Sequence, residues 1–121
     1  MKLPQEALKK LVNKFKAAID GMVVGIRTDR SIRVQWSIAI GVVLIFYVIG
    51  IEYHDWLWII LCIGLVVSVE HINSAIEELA DFVEPKYSEH IKRIKDFSSA
   101  AVFILSIAST IIGFIILFKY L

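Results

Sequence analysis

The sequence predicts an all-α membrane protein, with one amphipathic surface helix over residues 1–29 and three membrane-spanning helices at 34–51, 56–80 and 97–118. Three observations lead there. An apolar share of 58% and a mean hydropathy of +0.73 are too high for a soluble domain, and 121 residues are too few for two ordinary ones, so the chain reads as a single membrane domain. Uncharged runs cover 34–51 (18 residues), 56–69 (14) and 97–118 (22). A helix needs roughly 20 residues to cross the hydrocarbon, so the second span must extend into its acidic end. Positive charge is also unevenly placed: residues 1–33 hold eight of the thirteen Lys and Arg, 51–56 hold none, and 84–95 hold four. By the positive-inside rule the N-terminus and the second loop face the cytoplasm, and the turn IEYHDW faces outward. A membrane crossed several times is the expected location.

The first segment differs from a signal peptide. Leu8, Leu11, Val12, Phe15, Ile19, Met22, Val23 and Ile26 recur at helical spacing with charges between them. Lys9, Lys10, Lys14 and Lys16 suit anionic headgroups, which places this helix flat on the cytoplasmic surface. Pro4 fits its first turn, and Gly21 with Gly25 forms a GxxxG pair that lets another helix approach. The segment RTDRSIR (27–33) then carries Asp29, Arg30 and Arg33 to the start of the first span. Trp36, Tyr53, Trp56, Trp58 and Tyr120 lie near span ends, where amphipathic rings favour the headgroup level. Pro85 breaks the chain after the second span. The third span opens with IKDFSSAA (94–101), bringing Lys95, Asp96, Ser98 and Ser99; Ser99, Ser106 and Gly113 repeat at seven-residue spacing, and the latter two read as a packing ridge of small residues.

The net charge of +1 implies no nucleic-acid partner, since the basic residues are accounted for by topology. Cys62 lies alone in an apolar span, so no disulfide framework exists.

The second span ends in VEHINSAIEELAD, residues 69–81, with four carboxylates and an asparagine. Taking Trp56 as the outer interface, Glu70 is about 21 Å along a helix within a hydrocarbon layer about 30 Å thick, and Glu77 is about 31 Å along it. Glu70 is thus in the inner leaflet and Glu77 at the cytoplasmic interface. At about 100° per residue, Glu70, Asn73, Glu77 and Asp81 fall within an arc of about 80°, one polar stripe from lipid depth to water. That arrangement suits a reaction between a membrane-dissolved alcohol and a water-soluble phosphate donor. Glu70, desolvated, is a candidate general base for the hydroxyl. Glu77 is a candidate Mg²⁺ ligand, with Asp29 as a second, because Mg²⁺ takes one or two carboxylates together with nucleotide phosphates. Asn73 between them offers a donor and an acceptor. The other uses of such a stripe are ion pairing with a neighbouring helix and ion conduction. Conduction requires polar residues across the whole bilayer, whereas 56–69 carries only Cys62 and Ser68 besides apolar residues and glycine.

Two motifs carry a resemblance: E-x-x-N-S-A-I-E (Glu70, Asn73, Ser74, Ala75, Ile76, Glu77) with Asp81 following, and K-D-x-x-S-A-A (Lys95, Asp96, Ser99, Ala100, Ala101). Over nearly its whole length the chain resembles the prokaryotic diacylglycerol kinase family, small integral-membrane enzymes that include diacylglycerol kinase and undecaprenol kinase. The resemblance implies a homotrimer of three-span subunits that uses ATP and Mg²⁺ to phosphorylate a membrane lipid alcohol. It implies Glu70 as the catalytic base and Glu77 with Asp29 at the metal. Lys10, Asp29, Asn73, Glu77, Lys86, Tyr87, Lys95 and Asp96 would meet the nucleotide, and Arg33, Glu70 and Ser99 the lipid. Asp29 stands where the family usually has Glu, Ala17 where some members have Tyr, and Ser88 where His is common. The run LCIGLVVSVEHINSAIE (61–77) looks closer to the undecaprenol kinase branch than to the diacylglycerol branch.

Overall fold

The computed structural model describes residues 4–121, in which α1 (Gln5–Thr28), α2 (Arg30–Ile49), α3 (Tyr53–Val83) and α4 (Glu89–Lys119) follow one another and no strand occurs among the described residues. The last three are long and apolar enough to cross a membrane. α3 and α4 extend beyond their uncharged runs, while α2 starts four residues before its own and stops two residues short of its end. α3 and α4 have 31 residues each, about 46 Å at 1.5 Å per residue, which exceeds the hydrocarbon thickness by roughly 16 Å. The excess lies at the charged ends, EELADFV of α3 and EHIKRIKD of α4, where helix continues because neither stretch contains a breaker.

The breaks between helices have local causes. Pro4 sits just ahead of α1 with ψ 141°, at the cap and not within the first turn as its spacing suggested. Asp29 is extended (φ −116°, ψ 115°) and ends α1. Its carboxylate accepts the Ser31 amide at 2.8 Å and the Ile32 amide at 3.3 Å, capping α2. Gly50, at φ 78°, takes the left-handed conformation that closes α2, where a side chain would be strained. Glu84, directly before Pro85, is extended and stops α3.

α3 packs most extensively against α4, then against α2, while α1 leans on α2. A cluster of Phe46, Ile51, Ile59 and Ile116, with Val42, Trp56, Ile112 and Leu117 around it, holds the end of the bundle carrying the α2–α3 turn. The same end is tied by polar contacts. Buried Asp55 accepts the Tyr120 hydroxyl and the Lys119 ammonium (3.2 Å), and the Tyr120 oxygen accepts the Glu52 amide at 2.8 Å. Tyr120 is therefore part of an interhelical clasp as well as a residue at a span end. The C-terminus meets the α2–α3 turn because three consecutive spans return the chain to that side. Elsewhere the large apolar side chains of α2 and α4, such as Ile40, Leu44, Phe103, Ile104 and Ile115, point away from the chain, as lipid-facing residues do.

Candidate active site

The opposite end of the bundle gathers the acids. Residues of α3 facing its neighbours are buried even where they are polar: Glu70 is 4% exposed and Asn73 8% exposed. Glu70 faces α2, where Gln35 donates its amide to the carboxylate at 3.5 Å. One turn further along the stripe, Asn73 donates to Glu77 at 3.4 Å. Asp29 reaches α3 at Ser74, about one turn from Glu70, and Asn73 bonds Glu77, so the carboxylates of 29, 70 and 77 group along one stretch of that helix.

Asp29 joins that group by its place at the α1–α2 joint. While one of its oxygens caps α2, the other accepts the hydroxyl of Ser74 on α3. The Ser74 hydroxyl bond is the main reason its carboxyl is held below the ordinary aspartate range; the Ile32 and Ser31 amides and the Arg33 guanidinium act in the same direction, against partial desolvation. Arg33 itself turns back to the end of α1, donating to the carbonyls of Ile26 (3.1 Å) and Arg27 (3.0 Å). There it offsets the negative end of the helix dipole. Close packing completes the joint. A Cβ added to Gly25 would lie 2.9 Å from both His71 Cε1 and Ile32 Cδ1, so the missing side chain is what lets α1 approach α3.

At the outer edge of the stripe Asp81 pairs with Lys95 of α4, and Asp96 pairs with Lys92 one turn away at 2.5 Å. Among the described residues these are the ion pairs at this end of the bundle. Glu70, Glu77 and Asp29 have no such partner within salt-bridge distance among the described residues, so pairing with a neighbouring helix accounts for Asp81 and not for the deeper acids. Lys86 and Tyr87 are exposed on the α3–α4 connection. Lys10 is exposed on α1, fifteen residues and about 22 Å from the point where α1 meets α3, so the single chain does not bring it to the acids. Ser99 is exposed on α4; its neighbour Ser98 is buried instead and lines, with Asn73, a cavity between α3 and α4.

Four residues at this site have no role assigned from the sequence: Gln35 and His71, and Ser74 and Ser98 within the two motif stretches. Gln35 had a usable signal, an amide within an otherwise apolar span beside the candidate base's depth. His71, Ser74 and Ser98 had none, because their partners are on other helices.

Metal binding can be tested against these atoms. Among the described residues no three His, Cys, Asp or Glu side chains converge as a closed metal cage. Mg²⁺ does not need one, since it is held by one or two carboxylates and substrate phosphates. Asn73 Oδ1 is buried without a hydrogen-bond partner among the described residues, next to Glu77 on the stripe. An orphaned acceptor beside acids fits a cation, so the donor set suits Mg²⁺ with bound phosphate.

A family model described as prokaryotic diacylglycerol kinase matches residues 16–117. The chain is 29% identical over 109 residues to an undecaprenol kinase of Bacillus subtilis (strain 168), covering 90% of this chain and 89% of that protein. It is 28% identical over 112 residues to a diacylglycerol kinase of Haemophilus influenzae, covering 92% and 95%. A diacylglycerol kinase of Sinorhizobium sp is 34% identical over 64 residues, 53% of this chain. With a match across most of its length, and with the acids of both motifs gathered at one end of a membrane bundle, the chain belongs to the prokaryotic diacylglycerol kinase family and is a membrane lipid kinase that takes its phosphate from ATP.

Proposed function

We propose that this kinase phosphorylates undecaprenol at the cytoplasmic face of a bacterial cell membrane, with Glu70 as the general base. The observation that carries the reading is a 4%-exposed carboxylate, without a cationic partner among the described residues, on a helix face that continues through Asn73 to Glu77. The lipid hydroxyl gives its proton to a Glu70 oxygen as the hydroxyl oxygen bonds to the γ-phosphorus. The bond from that phosphorus to the β–γ bridging oxygen breaks, and ADP leaves. A positioned base contributes about 10²–10⁴-fold to such a step. The remainder comes from alignment and charge neutralisation. Gln35 holds the base in place by its hydrogen bond, and burial by α2 keeps water from it.

Asp29, Glu77 and the unpaired Asn73 oxygen would hold Mg²⁺, which supplies charge neutralisation at the phosphates. Lys95 and Asp96, exchanging their partners Asp81 and Lys92, would meet the nucleotide, together with Lys86, Tyr87 and Lys10. In a homotrimer, Lys10 of α1 and the exposed face of α4 would serve acids of a neighbouring subunit. The surplus of Lys and Arg at the acidic end of the bundle supports the cytoplasmic placement, beside ATP. Arg33 and Ser99 would flank lipid entry.

The choice of undecaprenol is supported by the character of 61–77 and by the similarity to a protein named undecaprenol kinase. Diacylglycerol carries ester carbonyls next to its hydroxyl, and a site with few donors there leaves them unpaired. Purified protein with Mg-ATP, offered each lipid separately in the same bilayer, should give the higher kcat/KM with undecaprenol. A preference for diacylglycerol would reverse the substrate assignment and leave the role of Glu70 intact.

A further inference from the structure

Asn73 of α3 and Ser98 of α4 line one cavity of about 380 Å³ between their helices, and both are buried, 8% and 9% exposed. The other lining residues, among them Ile72, Ile76, Ile94 and Phe97, are apolar. Within those walls the two polar side chains are complementary. Asn73 donates an Nδ2 hydrogen to Glu77 on its own helix at 3.4 Å, while its Oδ1 is buried with no partner among the described residues. Ser98 has a proton to offer. Thr28, Ser37 and Thr110 donate their hydroxyls to the carbonyl four residues back, a bond that Ser98 does not make among the described residues. An orphaned acceptor and an uncommitted donor therefore face the same apolar space. Buried polar groups in folded chains are hydrogen-bonded, to protein or to ordered water. No direct bond joins this pair, and a water, whose share of the liquid is about 30 Å³, fits the cavity with room to spare.

We propose that Ser98 is a positioning residue for the acid stripe: through one bridging water its hydroxyl holds the Asn73 oxygen, and so fixes which end of the amide faces Glu77. The inference rests on the kinase reading above. An amide has a donor end and an acceptor end of nearly equal shape, and its partners select between them. Turned the other way, Asn73 would aim its oxygen at the Glu77 carboxylate, replacing a hydrogen bond with repulsion between two acceptors. Glu77 would then lose the neighbour that holds it in place for a metal ion. The amide oxygen carries two lone pairs, so the water and a cation can share it. Because Ser98 is on α4 and Asn73 and Glu77 are on α3, the bridge also ties the acids to the helix that carries Lys95 and Asp96.

A double-mutant cycle in the full chain tests the bridge without any metal. Thermal unfolding in detergent without Mg²⁺ would be measured for the wild type, Ser98→Ala, Asn73→Ala and the variant carrying both substitutions. Ser98→Ala should lower the midpoint by about 4 °C in the wild type and by less than about 1 °C when Asn73 is already Ala, since the bridge is then gone. The second readout is lipid phosphorylation in bilayers of fixed composition. Ser98→Ala should raise the Mg²⁺ concentration for half-maximal rate by about fivefold, the worth of one hydrogen bond, with kcat at saturating Mg²⁺ and the KM for lipid as in the wild type. Should Asn73→Ala not fold, the Mg²⁺ requirement of Ser98→Ala decides alone. An equal fall in midpoint with and without Asn73 overturns the bridge and leaves Ser98 a packing residue. An unchanged Mg²⁺ requirement in Ser98→Ala overturns the positioning role. Wild-type protein that phosphorylates no lipid alcohol overturns the kinase reading and the positioning role with it, while the coupling of Ser98 to Asn73 is still read in the metal-free cycle.

Discussion

Removing Asp29 should have two separable consequences, because its two carboxylate oxygens do different work in the fold and both stand near the acids proposed for catalysis. In Asp29→Ala, α2 loses its N-cap bonds from the Ser31 and Ile32 amides, a loss of about 1 kcal/mol with a range of roughly 0.5–2. The Ser74 hydroxyl loses its acceptor at the same time, about 1 kcal/mol more. The expected destabilisation is about 2 kcal/mol. Asp29→Asn keeps an oxygen of the right reach for the cap, since Asn and Asp are comparable there, so it should cost less than about 1 kcal/mol. Both variants remove the charge, so both should raise the Mg²⁺ concentration that half-saturates lipid phosphorylation. Stability is to be read as thermal unfolding in detergent without Mg²⁺, and the metal requirement as initial rate against Mg²⁺ at fixed ATP. If Asn destabilises as much as Ala, the cap is not what Asp29 supplies. If Asn leaves the Mg²⁺ requirement unchanged, Asp29 does not serve the metal. Asp29→Glu adds a contrast: a longer side chain reaches further toward bound phosphate but caps poorly, so any gain in metal affinity should come with lost stability. The charge also ties stability to pH. A carboxyl held below its ordinary range contributes fully above the unfolded value, and the contribution is lost as pH falls through the folded one, below about pH 4.

Glu70→Gln keeps the shape and removes the base, so kcat should fall by about 10²-fold or more while nucleotide binding survives; ordinary turnover in this variant would refute the assignment. Gly25→Ala drives a methyl into His71 and Ile32, a cost of about 1–3 kcal/mol that exceeds the helix-propensity gain of up to about 1, whereas Gly21→Ala, with nothing within 4 Å, should hold or raise the thermal midpoint. Equal midpoints for the two would show that α1 does not dock at Gly25. A cysteine at Glu52 should react with a membrane-impermeant thiol reagent in intact cells, and one at Glu89 only after permeabilisation. The opposite labelling would place the acids away from ATP.

Much of this molecule follows from local pattern. Uncharged runs of 18, 14 and 22 residues are enough to place three spans, because crossing hydrocarbon requires every backbone polar group to be satisfied within the segment, which a helix does by itself. The polar stripe on α3 is equally local, since helical periodicity alone puts residues 70, 73, 77 and 81 on one face. Helix ends were less legible. EHIKRIKD of α4 is helical although its charges suggested a loop, because charge ends a span without ending a helix. The joints of the site belong wholly to the tertiary structure. Asp29 meets Ser74 across 45 residues, Gln35 meets Glu70 across 35, and Asp55 meets Tyr120 across 65. Such pairs depend on how three helices rotate and slide against one another, and periodicity within one helix carries no information about its neighbour's register. The same packing decides that Ser98 is buried and Ser99 exposed, and that Asn73 and Ser98 line one cavity. Sequence alone therefore determined what lies at each depth of the membrane, and packing between helices decided which of those groups touch.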